Sequence, residues 1–244
     1  MNGSLTVQKH ANAETFDMEF DFSKEKEISN TYYIWKRAMD VFCAIVGLIA
    51  LSPIMILTAI AIKLDSKGPV LFKQERTGKN GMPFMLYKFR SMVVDNDVHD
   101  FNNADKHTKI GNFIRKTSID ELPQFINILK GDMSFIGPRP WITDYWDNMN
   151  EEQRHRCDVL PGITGLAQAK GRNDITIFDK INYDLEYVEK YSLIEDIKIV
   201  FWTIKTVLSK KGADAGKSTI NNELNDLKNQ NIEIGEYAYE QRAG

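Results

Sequence analysis

The sequence predicts a mainly helical α+β protein that is attached to a membrane from one side, and three features support this prediction. Residues 41–62 form an uncharged apolar segment, interrupted near its middle by Ser52-Pro53. Two short β-type runs at 69–74 and 82–88 flank a polar turn that contains glycines, which predicts a hairpin. Further helices are predicted from apolar residues at three- and four-residue spacing. Together these features predict a small cytosolic domain joined to one membrane helix.

Length and charge divide the chain into three parts. A chain of 244 residues with 43% hydrophobic content is large enough for one domain with tails. We predict an acidic N-terminal tail at 1–30, a central domain at 31–211 and an acidic C-terminal tail at 212–244. Each tail holds three basic and six acidic residues. The alternation of apolar and acidic residues at 16–22 leaves two interpretations open, a docked strand or a disordered arm.

The apolar segment is predicted to enter the membrane and return to the same side. As an unbroken helix its 22 residues would be about 33 Å long, enough to cross the hydrocarbon core. Pro53 removes a helical hydrogen bond and kinks the chain, and the Ser52 hydroxyl offers a substitute partner. Residues 31–92 hold nine Lys or Arg against three Asp or Glu, and the basic residues flank both ends. Both ends therefore favour the cytoplasmic side, with a straight single span as the alternative.

Several classes of function have no support in the sequence. Cys43 and Cys157 show no paired spacing, which indicates a reduced, cytosol-facing protein. The four histidines lack the spacing of zinc ligands. Basic residues interleaved with aromatic ones are not found, so the positive charge near the apolar segment indicates membrane lipids and no nucleic acid.

The predicted hairpin brings phosphate-binding residue types to one end. Lys88, Arg90 and Ser91 follow its second strand, although such a triplet is also typical of a solvated strand edge. Asp95 and Asp97 come next, and an Asp-x-Asp pair on a loop can hold Mg²⁺ or Mn²⁺. An ordinary surface loop is the alternative for these two residues.

A well-delimited helix is predicted between Thr117 and Gly131. Ser118 and Glu121 have the spacing of a capping box, and Asp120 lies between them in the first turn. Gly131 stands at the expected end of the helix. In the loop that follows, Pro138 and Pro140 fix the backbone on either side of Arg139, an arrangement that favours phosphate binding.

The adjacent acids Asp120 and Glu121 have two interpretations. Acidic residues are common in the first turn of a helix, where they cap free N–H groups. However, Arg115 lies just upstream and Arg139 downstream, and a helix N-terminus lowers a carboxylate pKa and attracts phosphate. An ionised aspartate beside a bound phosphate can act as a nucleophile and form an acyl phosphate.

The last third of the central domain offers a glycine-rich loop and two helices. Glycines between 161 and 173 allow a ligand to approach the backbone, or they belong to a plain connecting loop. Two helices are predicted after Asp179. The second carries an apolar stripe from Ile197 to Leu208, which is compatible both with core packing and with a helix lying on the bilayer.

Four motifs in this order resemble a known family. They are YKFRSM at 87–92, DELPQ at 120–124, GDMSFIGPRP at 131–140 and PGITGLAQAKGRN at 161–173. The sequence resembles the monotopic phosphoglycosyl transferases, also called bacterial sugar transferases, over roughly Tyr32 to Ser209. Several long motifs are more specific than any single pattern, and both tails lie outside them.

The resemblance implies an enzyme on the cytoplasmic face of the bacterial inner membrane. It implies transfer of a sugar-1-phosphate from a UDP-sugar to polyprenyl (undecaprenyl) phosphate with release of UMP, as the first step of surface-glycan or glycoconjugate synthesis. Asp120 is the implied nucleophile and metal ligand, Glu121 the assisting acid, and Mg²⁺ the implied cofactor that neutralises the diphosphate. The implied phosphate ligands are Lys88, Arg90, Arg115, Arg139 and Arg172.

Two functions from other classes remain as alternatives. A metal-dependent glycosyltransferase would use Asp95 and Asp97 and release UDP. A non-catalytic membrane scaffold would use the acidic tails as docking arms. The sequence specifies neither the sugar nor the pathway, and it does not decide whether the chain forms a homo-oligomer.

Overall fold

The computed structural model describes residues 30–93, 107–170, 175–208 and 220–230. The predicted strand at 16–22, the Asp95 and Asp97 pair, and Arg172 lie outside the described residues. The fold is mainly helical with a small β component. Its elements are α1 (Asn30–Asp65), β1 (Leu71–Thr77), β2 (Pro83–Phe89), α2 (Lys109–Lys116), α3 (Gln124–Lys130), β3 (Ser134–Ile136), α4 (Thr143–Asp147), α5 (Glu151–Arg154), β4 (Gly162–Thr164), α6 (Leu166–Lys170), α7 (Ile177–Glu189), α8 (Leu193–Leu208) and α9 (220–230).

Helix α1 contains the whole predicted apolar segment. It is helical on both sides of Pro53, without an intervening loop residue. The Ile49 carbonyl, which would accept from residue 53 in a regular helix, instead accepts from the Ser52 hydroxyl at 2.8 Å. The predicted role of Ser52 is therefore confirmed, whereas the re-entrant path remains a prediction.

The first half of α1 is joined to the globular domain by polar contacts. Lys36 forms a buried ion pair with Asp196 of α8. Arg37 donates to the last carbonyls of α3, and Asp40 accepts from the Phe135 N–H at 3.1 Å. Gly47 lies against the Phe125 ring, so closely that a Cβ atom there would be 2.5 Å from it. The first half of α1 therefore follows the surface of the domain closely.

The second half of α1 contacts the same domain. Ile62 is buried against Phe89 of β2 and Ile114 of α2. Asp65, at the end of α1, accepts from the Ile110 N–H at 3.0 Å. Both ends of this 36-residue helix are therefore bound to one domain.

The hairpin is confirmed, with its first strand at Leu71–Thr77 where 69–74 was predicted. Strands β1 and β2 are antiparallel and pair Leu71 with Phe89 at one end and Thr77 with Pro83 at the other. The turn between them includes Asn80 and Gly81, both with positive φ. The hairpin places Lys88 at the end nearest α1 and α2.

A second, parallel strand pair was not predicted. Strands β3 and β4 have three residues each, with Ser134 opposite Gly162 and Ile136 opposite Thr164. Runs this short carry no periodicity that separates them from loop. The pairing brings the loop of residues 137–141 beside the glycine-rich segment.

Helices α7 and α8 confirm the two predicted C-terminal helices, but α8 packs into the core through only part of its surface, which includes Ile199. Tyr187 and Ile181 of α7 are buried. On α8, by contrast, the side chains of Ile197, Phe201 and Ile204 are more than half exposed. Core packing is therefore wrong for these α8 side chains, because their face has no protein layer against it among the described residues.

Helix α9 lies beyond the stretch covered by the family resemblance and packs on the domain. Leu227 is fully buried in a cluster with residues of α4 and α7. Glu223 accepts from the Tyr145 hydroxyl and from Lys180, both at 2.7 Å. Part of the predicted acidic C-terminal tail is thus a docked helix.

Candidate active site

Three charged side chains from separate elements meet at one carboxylate oxygen. The Glu121 Oε1 atom is 2.8 Å from the Lys88 Nζ and 2.7 Å from the Arg139 Nη2. Lys88 comes from β2, Glu121 from a 3-10 turn before α3, and Arg139 from the loop after β3. The Lys88 and Glu121 side chains are mostly buried, while that of Arg139 is 44% exposed. The structure therefore brings together three of the predicted site residues.

Asp120 lies next to this cluster with a free carboxylate. The residue is half-buried, and its side chain has no hydrogen bond or ion pair to any other described residue. Burial raises the pKa of its carboxyl, and the charge of Glu121 adds to this effect. The nearby charges of Lys88, Arg115 and Arg139 act in the opposite direction but are outweighed.

The direction of this pKa shift corrects the sequence prediction. We expected a helix N-terminus to lower the pKa of Asp120, whereas burial raises it. The predicted capping box is also wrong. Ser118 has a left-handed conformation (φ 57°) and makes no side-chain cap, and α3 itself begins only at Gln124. The Glu121 carboxylate instead binds two cations through its Oε1 atom.

Glu121 behaves in the opposite way from Asp120. Burial opposes its ionisation, but the charges of Arg139 and Lys88, with the hydrogen bonds they donate, hold its pKa well below the usual range. Burial also lowers the pKa of Lys88, although the negative charge of Glu121 acts in the opposite direction. The site therefore holds one carboxylate that is firmly ionised and one that is poised nearer to protonation.

A buried amide aligns the two acids with β2. Asn127 of α3 is fully buried, accepts from the Tyr87 N–H at 3.1 Å and donates to the Met85 carbonyl at 2.7 Å. These two bonds fix α3 against the strand that carries Lys88. Asn127 was not predicted, because nothing in the local pattern distinguishes it from an exposed helical asparagine. The predicted end of α3 at Gly131, which has a left-handed conformation, is confirmed.

The other predicted phosphate ligands are placed differently. Arg115 is exposed on α2, within electrostatic range of Asp120. Arg90 is buried and donates to the carbonyls of Ser66 and Lys67, at the end of α1. Because its guanidinium binds those two carbonyls, Arg90 is not part of the Glu121 cluster.

Beside the Glu121 cluster, the carboxylate of Asp120 is the one that is available to a metal ion. No group of three or more His, Cys, Asp or Glu side chains suited to a metal occurs among the described residues. Mg²⁺ commonly uses one or two carboxylates and completes its shell with water and substrate phosphates. Asp120 offers one such oxygen donor without a competing partner, whereas Glu121 is already bound. The donor set therefore fits a Mg²⁺ ion that arrives with a diphosphate.

Comparison with known proteins relates most of the chain to one family. Residues 31–210 match the family model described as bacterial sugar transferase. The galactosyl transferase CpsE of Streptococcus agalactiae serotype III (strain NEM316) is 45% identical over 199 residues, which cover 75% of this chain and 44% of CpsE.

Two further relatives have names that specify their substrates. The UDP-N-acetylgalactosamine-undecaprenyl-phosphate N-acetylgalactosaminephosphotransferase of Aeromonas hydrophila is 44% identical over 197 residues (76% of this chain, 46% of the relative). The UDP-glucose:undecaprenyl-phosphate glucose-1-phosphate transferase of Escherichia coli (strain K12) is 43% identical over 193 residues (72% and 41%). The matches cover less than half of the length of each of these three relatives. The matched region includes Asp120 and every element from β1 to α8, and the chain belongs to the bacterial sugar transferase family.

Proposed function

We propose that the protein transfers a sugar-1-phosphate from a UDP-sugar to undecaprenyl phosphate, or another polyprenyl phosphate, and releases UMP. The observation that carries this proposal is the free, half-buried carboxylate of Asp120 beside the cations that bind Glu121. The names of relatives that cover the same region point to the same two substrates. Such a transfer starts the synthesis of a surface polysaccharide or glycoconjugate.

The proposed reaction has two displacements at one phosphorus atom. A carboxylate oxygen of Asp120 attacks the phosphorus that bears the sugar, and the bond from that phosphorus to the UMP oxygen breaks. UMP leaves with the bonding electron pair, and the sugar phosphate remains on Asp120 as an acyl phosphate. A phosphate oxygen of the polyprenyl phosphate then attacks the same phosphorus. This step frees the Asp120 carboxylate and forms a polyprenyl diphosphate sugar.

The cations around Glu121 are suited to holding the donor diphosphate. Arg139 is partly exposed, so some of its donors can bind phosphate oxygens while the cluster stays in place. Lys88 adds a second positive charge on the buried side. Arg115 approaches Asp120 from α2 and is exposed. Arg172 is a further candidate ligand from the glycine-rich segment.

The two carboxylates would have separate roles. A raised pKa marks an Asp120 carboxylate that is poorly solvated, which favours nucleophilic attack by its ionised form. Glu121 would keep Lys88 and Arg139 in position and assist the reaction by electrostatics. Mg²⁺, held by Asp120 and the donor phosphates, would supply neutralisation of the diphosphate charge.

The nucleotide released by the protein tests this proposal. The full chain in detergent is incubated with UDP-sugars and undecaprenyl phosphate, and the products are separated by chromatography. We expect UMP. Release of UDP would indicate a glycosyltransferase that uses another site, and release of neither nucleotide would indicate a non-catalytic scaffold.

The covalent step has its own test. With the donor alone, mass spectrometry of the intact protein and of its peptides should find a sugar-phosphate adduct on Asp120. An Asp120→Asn variant should form none. Turnover without any adduct would refute the two-step mechanism, even if UMP is the product.

We further propose that α1 is re-entrant and that the domain lies on the cytoplasmic face of the membrane. Among the described residues, α1 is the one helix that is long and apolar enough to cross a membrane, and only 11% of its most apolar 18-residue stretch is buried. However, Arg37 near its start and Asp65 at its end both bond to the same domain, which argues against ends on opposite sides. The exposed face of α8 that includes Ile197 and Phe201 offers a second contact with lipid.

Labelling of single cysteines tests the path of α1. Cys43 and Cys157 are first replaced, and new cysteines are placed at Thr31 and Lys67. Both positions should react with a membrane-impermeant reagent only from the cytoplasmic side. Reaction of position 31 from outside would establish a single span.

A further inference from the structure

The loop that carries Arg139 is held mainly through its carbonyl groups. Pro138 and Pro140 have no N–H to donate, so the backbone on either side of Arg139 cannot be fixed in the usual way. Hydrogen bonds to the four consecutive carbonyls of residues 138–141 replace those donors. The Pro138 carbonyl accepts from the Gly162 N–H at 2.9 Å. The next three carbonyls accept, in order, from the Arg156 side chain (2.9 Å), the Arg76 side chain (3.4 Å) and the Thr77 N–H (2.9 Å).

Among the donors that bind the loop carbonyls, Arg156 is the one that binds Arg139 itself. The Arg156 side chain is almost fully buried. Only 2% of its surface is exposed. Its Nη2 and Nε atoms lie 2.6 Å and 3.0 Å from the Asp184 Oδ2 of α7. Its guanidinium carbon is 3.7 Å from the centroid of the Trp141 ring. The guanidinium of Arg156 thus contacts α7, the carbonyl of Arg139 and the ring of Trp141, the last residue of the loop.

We propose that Arg156 is a positioning residue for the diphosphate of the nucleotide donor. By holding the carbonyl of Arg139, Arg156 sets the direction in which the exposed Arg139 side chain meets the diphosphate, and Asp184 keeps Arg156 in that orientation. This inference rests on the proposed function, because it takes Arg139 as a donor ligand.

The geometry of the Arg156–Asp184 pair supports positioning over a purely stabilising role. Buried ion pairs can often be replaced by apolar residues without loss of stability, so stability alone does not require this one. The pair also leaves the Asp184 Oδ1 without a hydrogen bond among the described residues, while Arg156 directs an N–H at the loop. A lysine has three donors on one nitrogen and no planar fork, so it would not reproduce the two bonds to the Asp184 Oδ2 together with the bond to the loop carbonyl.

The test separates folding from donor binding with variants of the full chain in detergent. The variants are Arg156→Lys, the apolar replacement Arg156→Met with Asp184→Leu, and the control Lys180→Met, which removes another ion pair of α7. UDP is the binding probe. For each variant the Tm, the Kd for UDP and the maximal rate of UMP release are measured.

We expect the apolar double variant to keep a Tm within a few degrees of wild type and to bind UDP about 10- to 100-fold more weakly. Its maximal rate of UMP release should change less than its Kd. Arg156→Lys should show the same weaker binding with little loss of Tm. Lys180→Met should bind UDP as wild type does, even if its Tm is lower.

Two results would overturn the inference. One is a double variant, or an Arg156→Lys variant, that binds UDP as tightly as wild type. The other is a Kd that rises in step with the loss of Tm in all variants, Lys180→Met included. Failure of the proposed function would look different, because wild type itself would then form no adduct and release no UMP.

Discussion

Glu121 and Asp184 are both bound by an arginine, yet their environments have opposite effects on ionisation. Glu121 is paired with Lys88 and Arg139, and its pKa is lowered well below the usual range. Asp184 is paired with Arg156, and its pKa is raised because burial outweighs the attraction of the arginine. In the Glu121 pair the Arg139 side chain is partly exposed to solvent, whereas in the Arg156–Asp184 pair both side chains are buried.

The difference shows how the same type of contact can serve two purposes. Two cations compensate the burial of Glu121, whereas one cation does not compensate the deeper burial of Asp184, which also has one oxygen without a partner. The open Arg139 can exchange part of its bonding with a substrate phosphate. The buried Arg156 cannot reach a substrate phosphate, so its contacts act on the loop that carries Arg139.

The largest effect is expected at Asp120, which differs from Glu121 and Asp184 in having no ion pair among the described residues. Asp120→Asn should lower turnover by at least about 1,000-fold, because an amide cannot serve as the nucleophile. Steady-state UMP release measures this loss, with circular dichroism to confirm the fold. Asp158→Asn, a change at an exposed acid paired with His155, is the control and should retain activity. Substantial turnover by Asp120→Asn would remove Asp120 from its proposed role.

Removing the arginine of each pair should have unequal effects on stability. Arg156→Met should lower the free energy of unfolding by about 3–5 kcal/mol, because Asp184 is left buried without its partner. Arg139→Met should lower it by no more than about 1 kcal/mol, since this arginine is 44% exposed. Urea unfolding followed by fluorescence measures both values. Equal losses would show that exposure does not distinguish the two pairs.

Glu121→Gln should affect both the rate and its pH dependence. We expect kcat to fall about 100-fold. Loss of the negative charge and release of the Lys88 and Arg139 charges should both lower the pKa of Asp120, so the acid limb of the kcat/KM profile should move to lower pH. Rate measurements across the acid range test this shift. An acid limb that stays in place would mean that another group controls it.

The smallest expected effects are the pH trends of stability, with slopes of about 1 kcal/mol per pH unit. The folded pKa of Glu121 is lowered, so its contribution is present above 4.5 and is lost as pH falls below that value. The folded pKa of Asp184 is raised, so its contribution declines as pH rises above 3.8. Unfolding of wild type, Glu121→Gln and Asp184→Asn at several pH values should therefore give differences from wild type with opposite slopes. Slopes of the same sign would contradict the comparison of the two pairs.

Local patterns predicted the elements whose residues contact mainly their own neighbours. The apolar segment within α1, the hairpin of β1 and β2, and the end of α3 at Gly131 were all predicted from nearby residues. These features depend on hydrophobic run length, turn chemistry and glycine conformation, which act over a few residues. The capping box at Ser118 was wrong: Ser118 has a left-handed conformation, and Glu121 contacts Lys88 and Arg139, which come from other parts of the chain.

The residue pattern was enough to predict a long apolar helix that contains a proline, and to place Asp120, Glu121 and several cations in motifs of one family. Which of these charges meet depends on the tertiary fold. It assigned Arg90 to the end of α1, gave Arg156 the carbonyl of Arg139, and left the Asp120 carboxylate free. The physical reason is that burial and ion pairing depend on side chains brought together from distant parts of the chain, and no local spacing encodes their distances.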